Sequence, residues 1–327
     1  MNVLYCCGDE YVKYMGVSIY SLYDNNRDIE QLEVYILAYK FSEESVQKLN
    51  MIANQYNRTI HYLPMDDFMS YIPIEISDVG YPPVALGRLL MCHYLPNDVE
   101  EILYIDCDTI VNGSLNSILD IKIADSNFLL AAVPELSMPA GIKARIGHRK
   151  HDIYYNAGVQ LCNVKLWRKE DLSAIYMNYY ADKKGKLLYF DQDIMNACCK
   201  GRIKYLSYEY NISGNTPYFP LYYIKRLQPA YEVLSPKDHK RIIGSPTIIH
   251  YMGDERPWIK GNYNYYRKNY NKYYTSSPWA DEPLIEGKEL YLFCYHILNI
   301  ITYICPPFRS LFTRVIGINK YLWWGKE

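Results

Sequence analysis

Residues 101–111, EILYIDCDTIV, place an unbroken apolar run ahead of two aspartates two residues apart, and the chain then turns apolar again. A continuous run of this kind fits a central strand buried on both faces better than an edge strand, which points to a mostly parallel sheet. In open α/β sheets, ligands sit beyond the carboxyl ends of the strands, and Asp106 and Asp108 fall at that end. Two carboxylates there are costly unless something positive offsets them. Residues at i and i+2 of an extended chain point to one side, so the pair is placed to share one divalent cation through hard oxygen ligands.

The flanking sequence agrees with a sheet of this type. Upstream, NVLYC, LEVYILAY and TIHYL read as strands, with helical segments over residues 11–25 and 42–55 between them. A further helix is expected over residues 84–94. Downstream, NFLLAAVPE and AGVQLCNV read as strands, residues 172–184 and 191–199 as helices, and PTIIHYMG as a last strand ending at His250. Such alternation predicts βαβ units, a Rossmann-like α/β domain with a mostly parallel central sheet flanked by helices. No repeat of solenoid period and no low-complexity linker interrupts roughly the first 260 residues, so one domain is the simplest account.

Composition narrows the function classes. The chain has 327 residues, 50% hydrophobic and 22% charged, with a formal net charge of -1, a globular balance that offers no overall field to nucleic acid. Nine cysteines form no C-x-x-C pair, which favours reduced thiols over a disulfide framework or zinc site. The opening residues, MNVLYCCGDE, do not read as an export signal, and a cytoplasmic location is expected. Tyrosine is abundant, 37 against 8 phenylalanines. Rings with an apolar face and a polar tip suit sugars and membrane interfaces, with lineage bias as the alternative explanation.

The last 45 or so residues differ in kind. LYLFCYHILNIITYIC, residues 290–305, is apolar over 16 residues, short of the roughly 20 that a spanning helix needs. After Pro306-Pro307, Phe308, Leu311, Phe312 and Val315 recur at i, i+3, i+4 and i+7, with Arg309, Arg314 and Lys320 beside the Trp323-Trp324 pair. This pattern matches an amphipathic segment lying in a membrane interface, or a helix docked on the body or a second subunit. The division expected is a catalytic domain over residues 1–281 and an amphipathic, membrane-associating helical tail over residues 282–327.

Three further constellations carry chemistry. In HYMGDERPW, His250 ends a strand, Gly253 allows close backbone approach and Arg256 can grip phosphate. In YYNAGV, Asn156-Ala157-Gly158 opens a strand, and an asparagine amide both donates to and accepts from sugar hydroxyls. In FDQD, Asp191 is placed to cap a helix, with Gln192 and Asp193 in its first turn. Residues 256–279 carry five Lys or Arg, six tyrosines and no acid, a pattern open to nucleic-acid binding but better suited to glycan stacking or membrane contact. HRKHD, residues 148–152, reads as a polar loop able to close over a ligand.

Taken in order, D-x-D, N-A-G, D-Q-D and H-x-x-G-x-x-(K/R)-P-W resemble glycosyltransferase family 8, retaining nucleotide-sugar-dependent enzymes that include bacterial lipopolysaccharide α-galactosyl- and glucosyltransferases and glycogenin. The resemblance covers most of residues 2–258, and the basic and aromatic tail resembles the membrane-attachment tail of the lipopolysaccharide branch. It implies a GT-A fold and a hexose, galactose or glucose, transferred from a UDP-sugar. The acceptor implied is a saccharide or glycolipid of a bacterial surface glycan, of lipopolysaccharide or capsule type, met on the inner face of the cytoplasmic membrane; no nucleic acid is expected. By the resemblance, Asp106, Asp108 and His250 match ligands of Mn2+ or Mg2+. Arg88, Asn156, Ala157, Gly158 and Asp191 match the donor-sugar site, with Gln192 nearest the reacting face and Gln192 and Asp191 as the catalytic pair. Cys6, Cys7, Asp9, Tyr11, Asp106, Cys107, Asp108, Gly253 and Arg256 match the nucleotide site. Here Cys6 and Cys7 replace small alanines, Gly8 replaces a frequent aspartate, and Arg256 stands in place of a lysine. The rival enzyme reading is a metal-dependent nucleotidyltransferase, which wants a glycine-rich phosphate loop that CCGDEY does not supply. The non-enzymatic rival is a glycan-binding protein on a transferase fold.

Overall fold

The computed structural model describes residues 1–76, 81–254, 256–309 and 311–312. Among them, ten strands form two sheets: β1 (Asn2–Gly8), β2 (Glu33–Tyr39), β3 (Ile60–Pro64), β4 (Glu101–Ile105), β5 (Thr109–Val111), β6 (Leu130–Pro134), β7 (Tyr155–Asn163), β8 (Ile203–Tyr205), β9 (Ile212–Ser213) and β10 (Ile248–His250). Seven make a large sheet in the order β3-β2-β1-β4-β7-β6-β8. β7 is antiparallel to both its neighbours, and the other pairings are parallel, so six strands run one way and β7 alone runs against them. The fold is thus α/β with a mostly parallel central sheet, as expected, and AGVQLCNV is its reversed strand.

Both faces of this sheet are covered, which explains its unbroken apolar runs. Along β1, Val3, Tyr5 and Cys7 enter one core with the helices Val12–Asn25 and Glu43–Gln55. Leu4 and Cys6 enter the opposite core with the segment Pro83–His93 and the helices Leu172–Asp182 and Phe190–Cys198. That is the period of two of an extended chain. Leu103→Ala, fully inside the first core, should cost about 2–5 kcal/mol. The helix expected over residues 84–94 is present as a 3-10 helix, Pro83–His93. Its Gly87 lies so near β1 that a Cβ would come within 2.9 Å of Cys6 Sγ. Many tyrosines go inward: Tyr5, Tyr23, Tyr104, Tyr154, Tyr176, Tyr180, Tyr231, Tyr251 and Tyr270 are fully buried. Of the basic, tyrosine-rich stretch, Trp258, Tyr266, Tyr270, Tyr273 and Trp279 are buried as well.

Two expectations about the central segment change. The aspartates do not sit on an extended strand: β4 ends at Ile105, the chain turns over Asp106–Asp108, and β5 starts at Thr109 in the other sheet. The strand ending at His250 also belongs to that second sheet, of order β5-β10-β9, with His250 opposite Thr109 and beside Ser213. The small sheet therefore carries His250 up to the turn that holds the two aspartates.

Past residue 281 the described chain stays on the body as far as Ile304. Lys260 and Ile285 join by a backbone bond of 2.8 Å, Tyr291 donates to Asp254, and the helix Glu289–Ile304 buries Leu292, Leu298, Asn299 and Thr302. Its other side exposes Leu290, Phe293, Ile297, Ile300, Tyr303 and Ile304. Among the described residues no helix is long and apolar enough to cross a membrane. Arg314, Val315, Lys320, Trp323 and Trp324 lie outside the described residues.

Candidate active site

The turn between the sheets brings three ligand groups together. One atom each of Asp106, Asp108 and His250 lies within 4.8 Å of the others. His250 Nε2 is 3.1 Å from Asp108 Oδ1 and 3.6 Å from Asp106 Oδ2. Two carboxylates and an imidazole fit a divalent ion of the manganese or magnesium type, with the nitrogen favouring manganese. Burial opposes charge on His250, yet the facing aspartates raise its pKa above the ordinary histidine value. Burial likewise works against ionisation of Asp108, and His250 and Arg256 together hold it below the usual carboxylate range.

Each aspartate is oriented from behind. Asp106 Oδ1 accepts from the buried Tyr104 hydroxyl at 2.7 Å and pairs with Arg88 Nη2 at 2.8 Å, which leaves Oδ2 towards His250. The Asp106 amide donates to the Gly158 carbonyl at 2.8 Å, and the Tyr251 amide to the Asp108 carbonyl at 2.8 Å, so both sheets fix the turn. Arg88 stacks over the Tyr104 ring, its centre 4.4 Å away. Its Nε lies 3.2 Å from Asp191 Oδ2 and its Nη1 donates to the Ala157 carbonyl at 3.1 Å. One guanidinium thus joins Asp106 to Asp191 and to the Ala157 backbone.

The helix Phe190–Cys198 begins on a left-handed residue, Phe190 at φ 46°, fully buried against Tyr180 and Tyr81. A non-glycine residue held there stores strain of order 1–3 kcal/mol, typical of segments that aim functional groups. Asp191 does not cap this helix; Asp193 bonds back to the Tyr189 amide at 2.9 Å and takes the Tyr154 hydroxyl at 2.6 Å. Asp191 instead faces Arg88, and burial pushes its carboxyl up to about 6, against the pull of that guanidinium. Gln192 Oε1 accepts from the Ala157 amide at 2.9 Å. Asn156 is buried with its amide engaged: Oδ1 accepts from the Gly158 amide at 2.8 Å and from Asn211 at 2.8 Å, and Nδ2 donates to Glu135 at 2.8 Å.

The expected nucleotide residues divide by role. Tyr11 flanks the site, with Arg256 between its ring and that of Trp258, 5.9 Å from each. Arg256 Nη2 is 3.7 Å from Asp108 Oδ2, and its buried Nε has no hydrogen-bond partner among the described residues, as suits a cation awaiting an anion. Cys6 and Cys7 turn their thiols into opposite cores, and Cys107 donates to the Cys6 carbonyl at 3.5 Å. Neither thiol is therefore free to face a base. Asp9 accepts from the Ser42 amide at 2.9 Å and from its hydroxyl. Gly253 has φ 77° with no protein atom within 4 Å of where a Cβ would stand, so its backbone conformation by itself calls for glycine. The HRKHD stretch is pinned: His148 is buried and bonds the Asn196 carbonyl, and Lys200 pairs with Asp152 at 2.6 Å.

Sequence reasoning missed Tyr104, Glu135 and Asn211. Glu135 follows β6, at the carboxyl end of a buried strand, the same signal that picked out Asp106. Asn211 carried no such mark, because a two-residue strand such as β9 leaves no periodicity.

The sequence model of glycosyl transferase family 8 matches residues 2–261. A lipopolysaccharide 1,2-glucosyltransferase of Escherichia coli K12 is 28% identical over 333 residues, spanning 96% of this chain and 92% of its own. A lipopolysaccharide 1,3-galactosyltransferase of Salmonella typhimurium is 23% identical, spanning 85% and 79%. Among solved structures, the galactosyltransferase LgtC in complex with donor and acceptor sugar analogues superposes with a TM-score of 0.71 at 22% identity, covering 86% of this chain and 98% of its own.

Proposed function

This chain belongs to glycosyl transferase family 8, and we propose that it is a retaining hexosyltransferase. In this reading it moves galactose or glucose from a UDP-sugar, with manganese, to a saccharide acceptor of a bacterial surface glycan of lipopolysaccharide or capsule type. The observation that carries the reading is the meeting of Asp106, Asp108 and His250 within 4.8 Å, one guanidinium away from Asp191 and beside Gln192. The lipopolysaccharide glycosyltransferase activities for which the Escherichia coli and Salmonella relatives are named support the acceptor class.

Asp106, Asp108 and His250 would hold a divalent ion, which would supply positive charge for the leaving diphosphate. Arg256 adds its own charge on the same side, and the Arg88 to Asp191 pair positions the sugar. Gln192 is a feeble nucleophile, since its amide oxygen is neutral and already accepts from Ala157. The route this favours is attack from the leaving-group face: the bond from the anomeric carbon to phosphate oxygen breaks with its electron pair on the diphosphate. The acceptor oxygen then bonds to that carbon and passes its proton to the departing phosphate oxygen.

Residues 1–281 make up the catalytic unit in this reading, and residues 282–327 meet the cytoplasmic face of the membrane through the exposed apolar side of the helix Glu289–Ile304. The test is a panel of nucleotide sugars assayed for nucleoside diphosphate release with and without manganese. Manganese-dependent UDP release from UDP-galactose or UDP-glucose is expected. No release from any UDP-hexose overturns the reading, and a pyrophosphate product turns it to nucleotidyl transfer.

A further inference from the structure

The Asn156-Ala157-Gly158 stretch, which sequence resemblance assigns to the sugar, has a second task visible in its hydrogen bonds. A chain of four side chains runs behind the metal site. His250 Nδ1 meets Asn211 Oδ1 at 2.9 Å, Asn211 Nδ2 meets Asn156 Oδ1 at 2.8 Å, and Asn156 Nδ2 meets Glu135 Oε2 at 2.8 Å. All but Glu135 are buried. Amide side chains can in principle point either way, and a histidine can carry its proton on either nitrogen.

One backbone group removes the ambiguity. The Gly158 amide can only donate, and it lies 2.8 Å from the same Asn156 oxygen. That atom is therefore an acceptor, so Asn211 must turn its NH2 towards it and its oxygen towards His250. His250 Nδ1 is then obliged to carry a proton, and the carboxylate of Glu135 satisfies the Asn156 NH2 at the far end. Gly158 contributes space as well: a Cβ there would stand 2.2 Å from His250 Cε1 and 2.6 Å from Nδ1.

We infer that Glu135, Asn156 and Asn211 are positioning residues, a relay that locks His250 as the Nδ1–H form and so keeps the Nε2 lone pair available to a divalent ion beside Asp106 and Asp108. Outer partners of a ligating histidine fix its tautomer and ring orientation in this way. A metal ligand here is thus specified by three residues that never touch the metal. The inference rests on the proposed metal site for its purpose, but the proton position does not depend on any reaction.

The first test reads that proton directly. In protein labelled with nitrogen-15 at histidine, two-dimensional correlation of the ring nitrogens should show His250 Nδ1 protonated both without metal and with magnesium. An unprotonated Nδ1 overturns the relay, whatever the enzyme transfers. The second reads Mn2+ affinity by electron paramagnetic resonance with UDP present and no sugar donor. Asn211→Leu should weaken Mn2+ binding about 10–100-fold, and Glu135→Leu should weaken it in the same direction. Glu135→Gln, which still presents an oxygen to Asn156, should restore near wild-type binding. Unchanged affinity in a folded Asn211→Leu protein also overturns the relay. Absence of Mn2+ binding by the wild type, with Nδ1 protonated, overturns the proposed metal dependence and leaves the relay standing.

Discussion

Arg88 Nη2 lies 2.8 Å from Asp106 Oδ1, and through the same guanidinium Asp106 is linked to Asp191 at 3.2 Å from Nε. A planar fork can address two carboxylates at once, whereas an ammonium is a single point of charge. Arg88→Lys should therefore keep the fold but lose about 10–100-fold in kcat/KM for UDP-sugar hydrolysis, an effect of alignment and not of charge. Arg88→Met leaves the buried Asp191 carboxylate and the half-buried Asp106 carboxylate without their shared cation and should lower unfolding stability by about 3–5 kcal/mol, measured by urea titration.

Asp191 gives the pH dependence. Burial raises its pKa from the ordinary 3.8 to about 6 in the folded protein. The folded state therefore holds this proton more tightly than the unfolded chain, and the stability contributed is full below pH 3.8 and lost as pH rises through about 6. Activity runs the opposite way, because the ionised form pairs with Arg88. A profile of kcat/KM against pH reports free-enzyme groups, and an acid limb with a midpoint near pH 6 is expected. Asp191→Asn should be slow at every pH and lack that limb; a limb retained in the variant assigns it to another group.

Metal removal separates the two aspartates from the rest of the site. Chelation should abolish donor turnover and added Mn2+ should restore it. Asp108→Asn takes away a charged group of the proposed metal site and the partner of His250 at 3.1 Å, so added Mn2+ should no longer restore turnover. Isothermal titration with Mn2+ and UDP checks whether the loss is one of binding. Tight Mn2+ binding by the variant would mean that Asp108 serves the fold and not the ion.

How much of this could be read from the chain depended on range. The segment around Asp106 revealed a doubly buried strand because β4 is flanked on both sides and its apolar residues need no alternation. It also gave both carboxylates, but the reason for their meeting was misjudged, since a turn between sheets and not an extended strand gathers them. The three-residue β5 and β8 and the two-residue β9 are too short to leave a period, and without β5 and β9 the second sheet around β10 was hidden. Asp191 looked like a helix cap because first-turn acids usually serve that role. Only the tertiary position of Arg88, some hundred residues earlier, turns it into half of an ion pair.

The helix Glu289–Ile304 separates membrane contact from folding by face. Leu292 is fully buried and Leu298 nearly so, whereas Phe293 is 63% and Ile300 60% exposed. Leu292→Ala should cost about 2–5 kcal/mol of stability with vesicle binding intact once the protein is folded. Phe293→Asp with Ile300→Asp touches no core contact, so its effect on stability should stay within about 0.5 kcal/mol for each change. If the outer face inserts among headgroups, the same pair should abolish sedimentation with vesicles of phosphatidylethanolamine and phosphatidylglycerol, because charge replaces apolar area at the interface. Vesicle binding that survives this pair, together with a lowered melting temperature, would show instead that the outer face packs against protein.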